Sequence, residues 1–293
     1  MKLHACPFLA PPLEYCTFEN ARVVVVPFPY EGGVSYGKGA AQAPAAVLNA
    51  STQVEYYDIE LAAEPYKIGI ATLEEPDLPD DPVQMLTVLE RISDELLDNG
   101  KFPVVVGGDH SISSGFFKSL IKQSKTIGVV QLDAHADLRD SYEGSAQSHA
   151  SVMARLREMT PHTLQIGIRS MAVEEAALIN AENLSVCTMH QWRHGRFDLQ
   201  KALETLPDKV FITLDVDVFD WSVIAGTGTP EPGGLGWYET LDLLNTIFTA
   251  KEVVGFDVVE LACSPDDINS PFAVAKLIYK MIGFKFARQL ERL

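Results

Sequence analysis

The sequence predicts an α/β fold built on a central parallel sheet, and three observations carry that prediction. Six short apolar runs recur along the chain, they are rich in valine and isoleucine at successive positions, and helical patterns lie between them. A run that is apolar on both faces is buried on both faces, which is the situation of a strand inside a parallel sheet. In chain order the runs are ARVVVVPF (21–28), FPVVVGG (102–108), TIGVVQLD (126–133), TLQIGI (163–168), KVFITLDVD (209–217) and EVVGFDVVE (252–260). Parallel neighbours require crossover connections, and helices supply them. The clearest spans 82–99: Asp81 caps it, Pro82 suits its first turn, and Gly100 suits its exit. Leu86, Leu89, Ile92 or Ser93, Leu96 and Leu97 give it one apolar face. Further helices are expected at 111–123, 149–159 and 238–250, with a last one opened by Ser270-Pro271. No repeat, low-complexity tract or Gly/Ser linker interrupts the series, so one domain over 1–293 is the economical arrangement.

Hydrophobic residues make up 47% of the 293 residues, enough for a large core, yet no segment approaches the roughly 18 apolar residues of a membrane span. The first sixteen residues, MKLHACPFLAPPLEYC, hold a single lysine and a proline-broken apolar stretch, unlike a signal peptide, and a cytoplasmic protein is expected. Cys6, Cys16, Cys187 and Cys263 lie far apart without a CxxC pair and read as reduced thiols. A formal charge of -17 argues against a nucleic-acid partner and favours attraction of small cations or metals, although a solvated acidic surface accounts for it equally well.

Four of the runs end in residues that bind ligands: Gly107-Gly108-Asp109-His110, Asp133-Ala134-His135-Ala136-Asp137, Asp215-Val216-Asp217, and Glu260 after Asp257-Val258-Val259. In an open parallel sheet, ligands bind beyond the carboxyl ends of the strands, so these charges should converge. The Gly107-Gly108 turn should aim Asp109 and His110 into the site. If the segments stay extended, period-two spacing puts Asp133, His135 and Asp137 on one side, and likewise Asp215 with Asp217. Buried together, these carboxylates and imidazoles repel one another unless cations neutralise them, and four aspartates balance two divalent ions. Oxygen and imidazole donors without thiolate suit manganese better than a structural zinc; magnesium, iron, cobalt, nickel and zinc stay open. Two ions about 3.5 to 4 Å apart would share Asp133 and Asp215 and activate water at neutral pH, an arrangement built for hydrolysis.

The motifs GGDHS (107–111), DAHAD (133–137), SHAS (148–151), LDVDVFD (214–220), GTGTPEPGG (226–234) and DVVE (257–260) resemble, in order, those of the ureohydrolases, the arginases and agmatinases, with agmatinase the nearer. The resemblance implies a three-layer α/β/α sandwich and two Mn2+ per subunit. His110, Asp133, Asp137 and Asp215 would hold one, and Asp133, His135, Asp215 and Asp217 the other. It implies that a hydroxide held between the ions attacks the guanidinium carbon, that His149 shuttles a proton, and that Glu260 pairs with the guanidinium. Asp220 would support the metal ligands, unless it is an ordinary turn aspartate. It implies a homotrimer or homohexamer. The chain departs from the family pattern at Thr213, where serine or alanine is usual, and at Trp221, where proline is usual. The missing proline bears on the course of the loop 221–225.

The loop after DAHAD should face the far end of the substrate. Here Asp140 and Glu143 favour a cation and repel a carboxylate, unless the loop is simply solvated. Agmatine therefore leads as substrate, an aminopropyl-extended agmatine fits the same argument, and guanidinobutyrate, ending in a carboxylate, fits less well; arginine remains the arginase alternative. Among rival classes, a single-zinc deacetylase relative expects adjacent histidines, and a binuclear phosphoesterase expects Asn-His-Asp or Asn-His-Glu; neither occurs. A non-catalytic binding protein of the same fold would have lost ligands, and every ligand position here is filled.

Overall fold

In the computed structural model, which describes residues 1–290 apart from Val34 and Lys125, eight strands form one sheet: β1 (Val23–Phe28), β2 (Ile70–Thr72), β3 (Phe102–Gly107), β4 (Gly128–Leu132), β5 (Thr163–Ile168), β6 (Ser185–Thr188), β7 (Lys209–Asp215) and β8 (Glu252–Val259). The six apolar runs supply six of them. The other two, β2 and β6, are short edge strands that the apolar pattern does not reveal. All pairings are parallel, in the order β2-β1-β3-β8-β7-β4-β5-β6.

Nine α-helices are present among the described residues: α1 (Ala43–Ser51), α2 (Pro82–Asp98), α3 (Ser113–Gln123), α4 (Val152–Met159), α5 (Val173–Glu182), α6 (Met189–Arg193), α7 (Leu199–Glu204), α8 (Trp237–Ala250) and α9 (Asn269–Leu290). Helix α2 has the expected ends: Asp81 accepts a hydrogen bond from the Gln84 amide at 2.8 Å, Pro82 opens the first turn, and Gly100 leaves with φ 68. The helices expected at 111 and 149 start later, at Ser113 and Val152, because a single 3-10 turn precedes each.

Successive strand residues feed two cores. Val23, Val25, Val104, Val106, Ile212 and Leu214 pack on one face with α1, α7, α8 and α9. Val24, Val26, Val105, Val129 and Phe211 pack on the other with α2, α3 and α4. This alternation of side-chain direction makes the three-layer α/β/α sandwich. Each of these apolar side chains contributes about 1.5–3 kcal/mol by leaving water. Helix α9 is tied to segment 56–63 by an ionic contact as well. Lys280, 2% exposed, reaches Asp58 at 2.9 Å and also contacts Glu60, while the Tyr279 hydroxyl donates to the Tyr56 carbonyl at 2.6 Å.

The topology positions the site. Strands β3, β8, β7 and β4 are consecutive in the middle of the sheet, and these are the four strands whose carboxyl ends carry the acid and histidine motifs. No described helix is long and apolar enough to cross a membrane.

Candidate metal centre

One local device recurs at three strand ends. The Oδ1 of Asp109 accepts the amide of Ser111 at 2.8 Å, that of Asp133 the amide of His135 at 2.6 Å, and that of Asp215 the amide of Asp217 at 2.9 Å. Each aspartate thereby turns the chain with one oxygen and keeps the other, Oδ2, for a second partner. The expectation of extended segments is corrected by this geometry. Strand β4 ends at Leu132, Asp137 has φ 51, and Asp217 lies in a 3-10 turn, Val216–Val218. The side chains converge because the chain coils around them, with no role for strand alternation.

His110 Nδ1 lies 3.2 Å from Asp133 Oδ2, 3.1 Å from Asp137 Oδ2 and 3.4 Å from Asp215 Oδ2. His135 Nδ1 lies 2.9 Å from Asp217 Oδ2 and 3.6 Å from Asp133 Oδ1. Two groups with metal-ligand spacing result, His110/Asp133/Asp137 and Asp133/His135/Asp217, and they share Asp133. Asp215 adjoins the first of them through His110. Behind the cluster, Gln131 Nε2 donates to Asp133 Oδ2 at 2.7 Å, and Gln165 holds Gln131 in turn. Asp109 turns aside from this cluster: its Oδ2 accepts the Gly33 amide at 2.7 Å, which corrects the expectation that it points into the site with His110.

The electrostatics fit cations. Burial raises the carboxyl groups of Asp215 and Asp217, and burial with the neighbouring Asp133 raises Asp137 to about 7. Burial also opposes charge on Asp133 and His135, but their mutual hydrogen bonds, with His110 and Asp217 adding theirs, win: Asp133 is held well down and His135 pushed up to about 12. Without metal, protons must supply the missing positive charge; divalent cations do so better. The His110 Nδ1 atom makes the same point, being buried without a hydrogen-bond partner while surrounded by carboxylate oxygens.

A cavity of about 240 Å³ opens beside these groups, and His110, His135, Asp137, Asp215, His149 and Glu260 all line it. Glu260 Oε1 accepts the His110 amide at 2.7 Å, while Oε2 faces Gly228 of the GTGTPEPGG segment. Burial, then the charge of Asp109, raises its carboxyl well above the ordinary range. His149 sits at the start of the turn before α4, edge-on to Tyr142 with ring centres 5.6 Å apart. Burial lowers its pKa, Asp109 opposes, and the imidazoles of His110 and His135 lower it further.

Asp140 and Glu143 do not line this cavity. Tyr142 and Ser145 exchange backbone hydrogen bonds at 2.9 Å across a two-residue turn, with Glu143 at φ 48 and Gly144 at φ 82, which throws Glu143 to the tip in solvent. The Asp140 carboxylate is exposed and pairs with Arg155 at 2.9 Å. The inward residues of the loop are Arg139 and Tyr142, stacked with the guanidinium carbon 4.8 Å from the ring centre. The cavity carboxylate that sequence reasoning missed is Glu175, 4% exposed, which accepts the amides of Leu138 at 2.8 Å and Ala172 at 2.7 Å. Asp220 behaves as a turn aspartate: its Oδ1 accepts from the amide and hydroxyl of Ser222 at 3.1 and 2.6 Å, which corrects its assignment as a support of the ligands. Trp221 is 60% exposed beside it.

Two adjoining oxygen-and-imidazole groups sharing an aspartate, at the carboxyl ends of a parallel sheet, define a protein class: an α/β sandwich with a candidate binuclear metal centre. The chain belongs to the arginase family, whose profile matches residues 21–283. It is 40% identical over 287 residues to the N(1)-aminopropylagmatine ureohydrolase of Synechocystis sp., covering 94% of this chain and 93% of that protein. It is 32% identical over 273 residues to the agmatinase of Pyrococcus horikoshii, covering 90% and 92%. The agmatine ureohydrolase structure of Thermoplasma volcanium matches with a TM-score of 0.88 at 26% identity, over 99% of this chain and 97% of that one.

Proposed function

We propose that the chain is a single-domain ureohydrolase acting on an amine-ended guanidino compound, N(1)-aminopropylagmatine or agmatine. Water adds to the guanidinium carbon, the bond from that carbon to the alkyl-bearing nitrogen breaks, and urea leaves with the free amine. The observation that carries the reading is that members of both ligand groups, His110 and Asp137 of one and His135 of the other, line one cavity with Glu260 and His149. Membership of the arginase family supports it, and the names of the Synechocystis and Pyrococcus relatives support the substrate class.

His110, Asp133, Asp137 and Asp215 would hold one ion, and Asp133, His135, Asp215 and Asp217 the other, with manganese the metal we propose for this oxygen-rich set. When bound, the ions supply a water nucleophile activated at neutral pH and stabilise developing negative charge. Glu260, whose Oε1 is taken by the His110 amide, would use its other oxygen to accept from the guanidinium and orient it. His149, whose burial lowers its pKa and favours the neutral imidazole, can take a proton and pass it to the leaving nitrogen. The substrate's distal ammonium faces the wall containing Glu175, in place of Asp140 and Glu143. A cytoplasmic homotrimer or homohexamer belongs to the same proposal.

Urea release by manganese-reconstituted protein on N(1)-aminopropylagmatine, agmatine, arginine and guanidinobutyrate tests the reading. Preference for either amine-ended compound is expected; preference for arginine or guanidinobutyrate overturns the substrate class, and no urea from any of the four overturns the activity. For His149→Ala, turnover should fall by about two orders of magnitude or more, the usual worth of a positioned acid-base group. Metal content should stay at the wild-type level, and loss of both ions in that variant would sink the assigned role.

A further inference from the structure

His110 is held from behind as well as from the front. On the side away from the carboxylates its Nε2 lies 2.8 Å from Thr213 Oγ1, and Thr213 Oγ1 lies 3.2 Å from Ser113 Oγ. Thr213 is in register with Asp257 of the neighbouring strand β8. Asp257 is wholly buried, and neither carboxylate oxygen makes a hydrogen bond of ordinary geometry; burial raises its carboxyl to about 6, opposed by the charge of His110 and by the neighbouring Thr213 and Ser113 hydroxyls. A buried carboxyl group so placed needs an account, since unpaired polar atoms in a core are costly.

We propose that Thr213, backed by Ser113 and Asp257, is a positioning residue that fixes the orientation and tautomer of His110. A histidine that ligates through Nδ1 carries its proton on Nε2, and that proton needs an acceptor. The Thr213 hydroxyl accepts it and donates its own hydrogen onward to Ser113 or Asp257, leaving the Nδ1 lone pair facing Asp133, Asp137 and Asp215. The β-branch of threonine restricts χ1, so the hydroxyl is pinned toward the imidazole more firmly than a serine hydroxyl would be. Threonine at position 213 keeps the hydroxyl that this role requires, and this reading rests on His110 being a metal ligand.

Titration of metal-free protein with Mn2+ alone, followed by calorimetry and by the EPR signal of free Mn2+, tests it. Thr213→Val, which keeps the volume and removes the hydroxyl, should weaken one of the two sites by about 10–100-fold, the usual cost of losing a partner behind a ligand, and leave the other unchanged. Thr213→Ser should bind both ions nearly as wild type does, which separates loss of the hydroxyl from loss of the fold. Asp257→Asn should weaken the same site as Thr213→Val. In a His110→Ala background, Thr213→Val should have no further effect. Wild-type affinity at both sites in Thr213→Val, or equal weakening with and without His110, overturns the proposal; unchanged affinity in Asp257→Asn removes Asp257 from it. If His110→Ala itself binds both ions as wild type does, the metal reading of His110 fails, an outcome distinct from failure of the Thr213 role.

Discussion

Asp133→Asn should lose both metal ions and at least about a thousandfold of activity, the several kcal/mol that metal activation contributes to such a reaction. Asp133 is the member common to both ligand groups, and it uses each oxygen separately: Oδ1 accepts the His135 amide at 2.6 Å and Oδ2 lies 3.2 Å from His110 Nδ1. An asparagine keeps one of these oxygens and replaces the other with a donor. Turned one way, its NH2 meets the His135 N–H and opens the turn; turned the other, it faces the cation and Gln131 Nε2, a second donor. Neither orientation satisfies both neighbours, and the site is buried, so water offers no escape. Metal content by elemental analysis and urea release from the same sample are the measurements. Retention of two ions with full activity would refute the bridging assignment.

The second large effect concerns the fold. Lys280→Ala should cost about 3–5 kcal/mol of unfolding free energy, because it strands the buried carboxylate of Asp58, which is 0% exposed. Glu60 contributes little to this figure, since its side chain is half exposed and remains solvated. The contact ties α9 to segment 56–63, so the loss should appear as a lower denaturation midpoint for the whole molecule. The double variant Lys280→Met with Asp58→Asn should recover much of the loss, as neutral residues of similar volume remove the stranded charge. Chemical denaturation of metal-free protein separates this from any effect of bound ions; equal stability of Lys280→Ala and wild type would show that the pair is a neutral passenger.

The interior of the sheet was legible in the sequence because β1, β3, β4, β5, β7 and β8 are apolar on both faces. The edges were not, for a physical reason. Strand β2 has three residues and β6 four, three of them only partly buried, so neither builds an apolar run. Helix α1 packs through small alanines and one valine-leucine pair, and α5 buries mainly Glu175, so neither shows the leucine-rich stripe that marked α2. The six proposed ligands were legible because acids and histidines cluster just after the apolar strands, whereas the turns that bring them together were not: the sequence pointed to extended segments. What escaped depends on tertiary placement: Glu175 enters the cavity from α5, Tyr142 and Arg139 point inward only because the turn at Glu143-Gly144 sends the acids outward, and Thr213 on β7 reaches His110, just past β3, across the intervening β8.

Two of the cavity residues, Asp137 at φ 51 and Glu260 at φ 63, occupy left-handed backbone conformations. Glycine would adopt them freely; an aspartate tolerates them with modest strain, and a glutamate at a cost on the order of 1–3 kcal/mol. Replacing either residue by glycine should relieve that strain and remove a carboxylate from the cavity at the same time. Backbone strain and cavity charge therefore pull in opposite directions at Asp137 and Glu260, and unfolding free energy measured beside metal content would read the two separately.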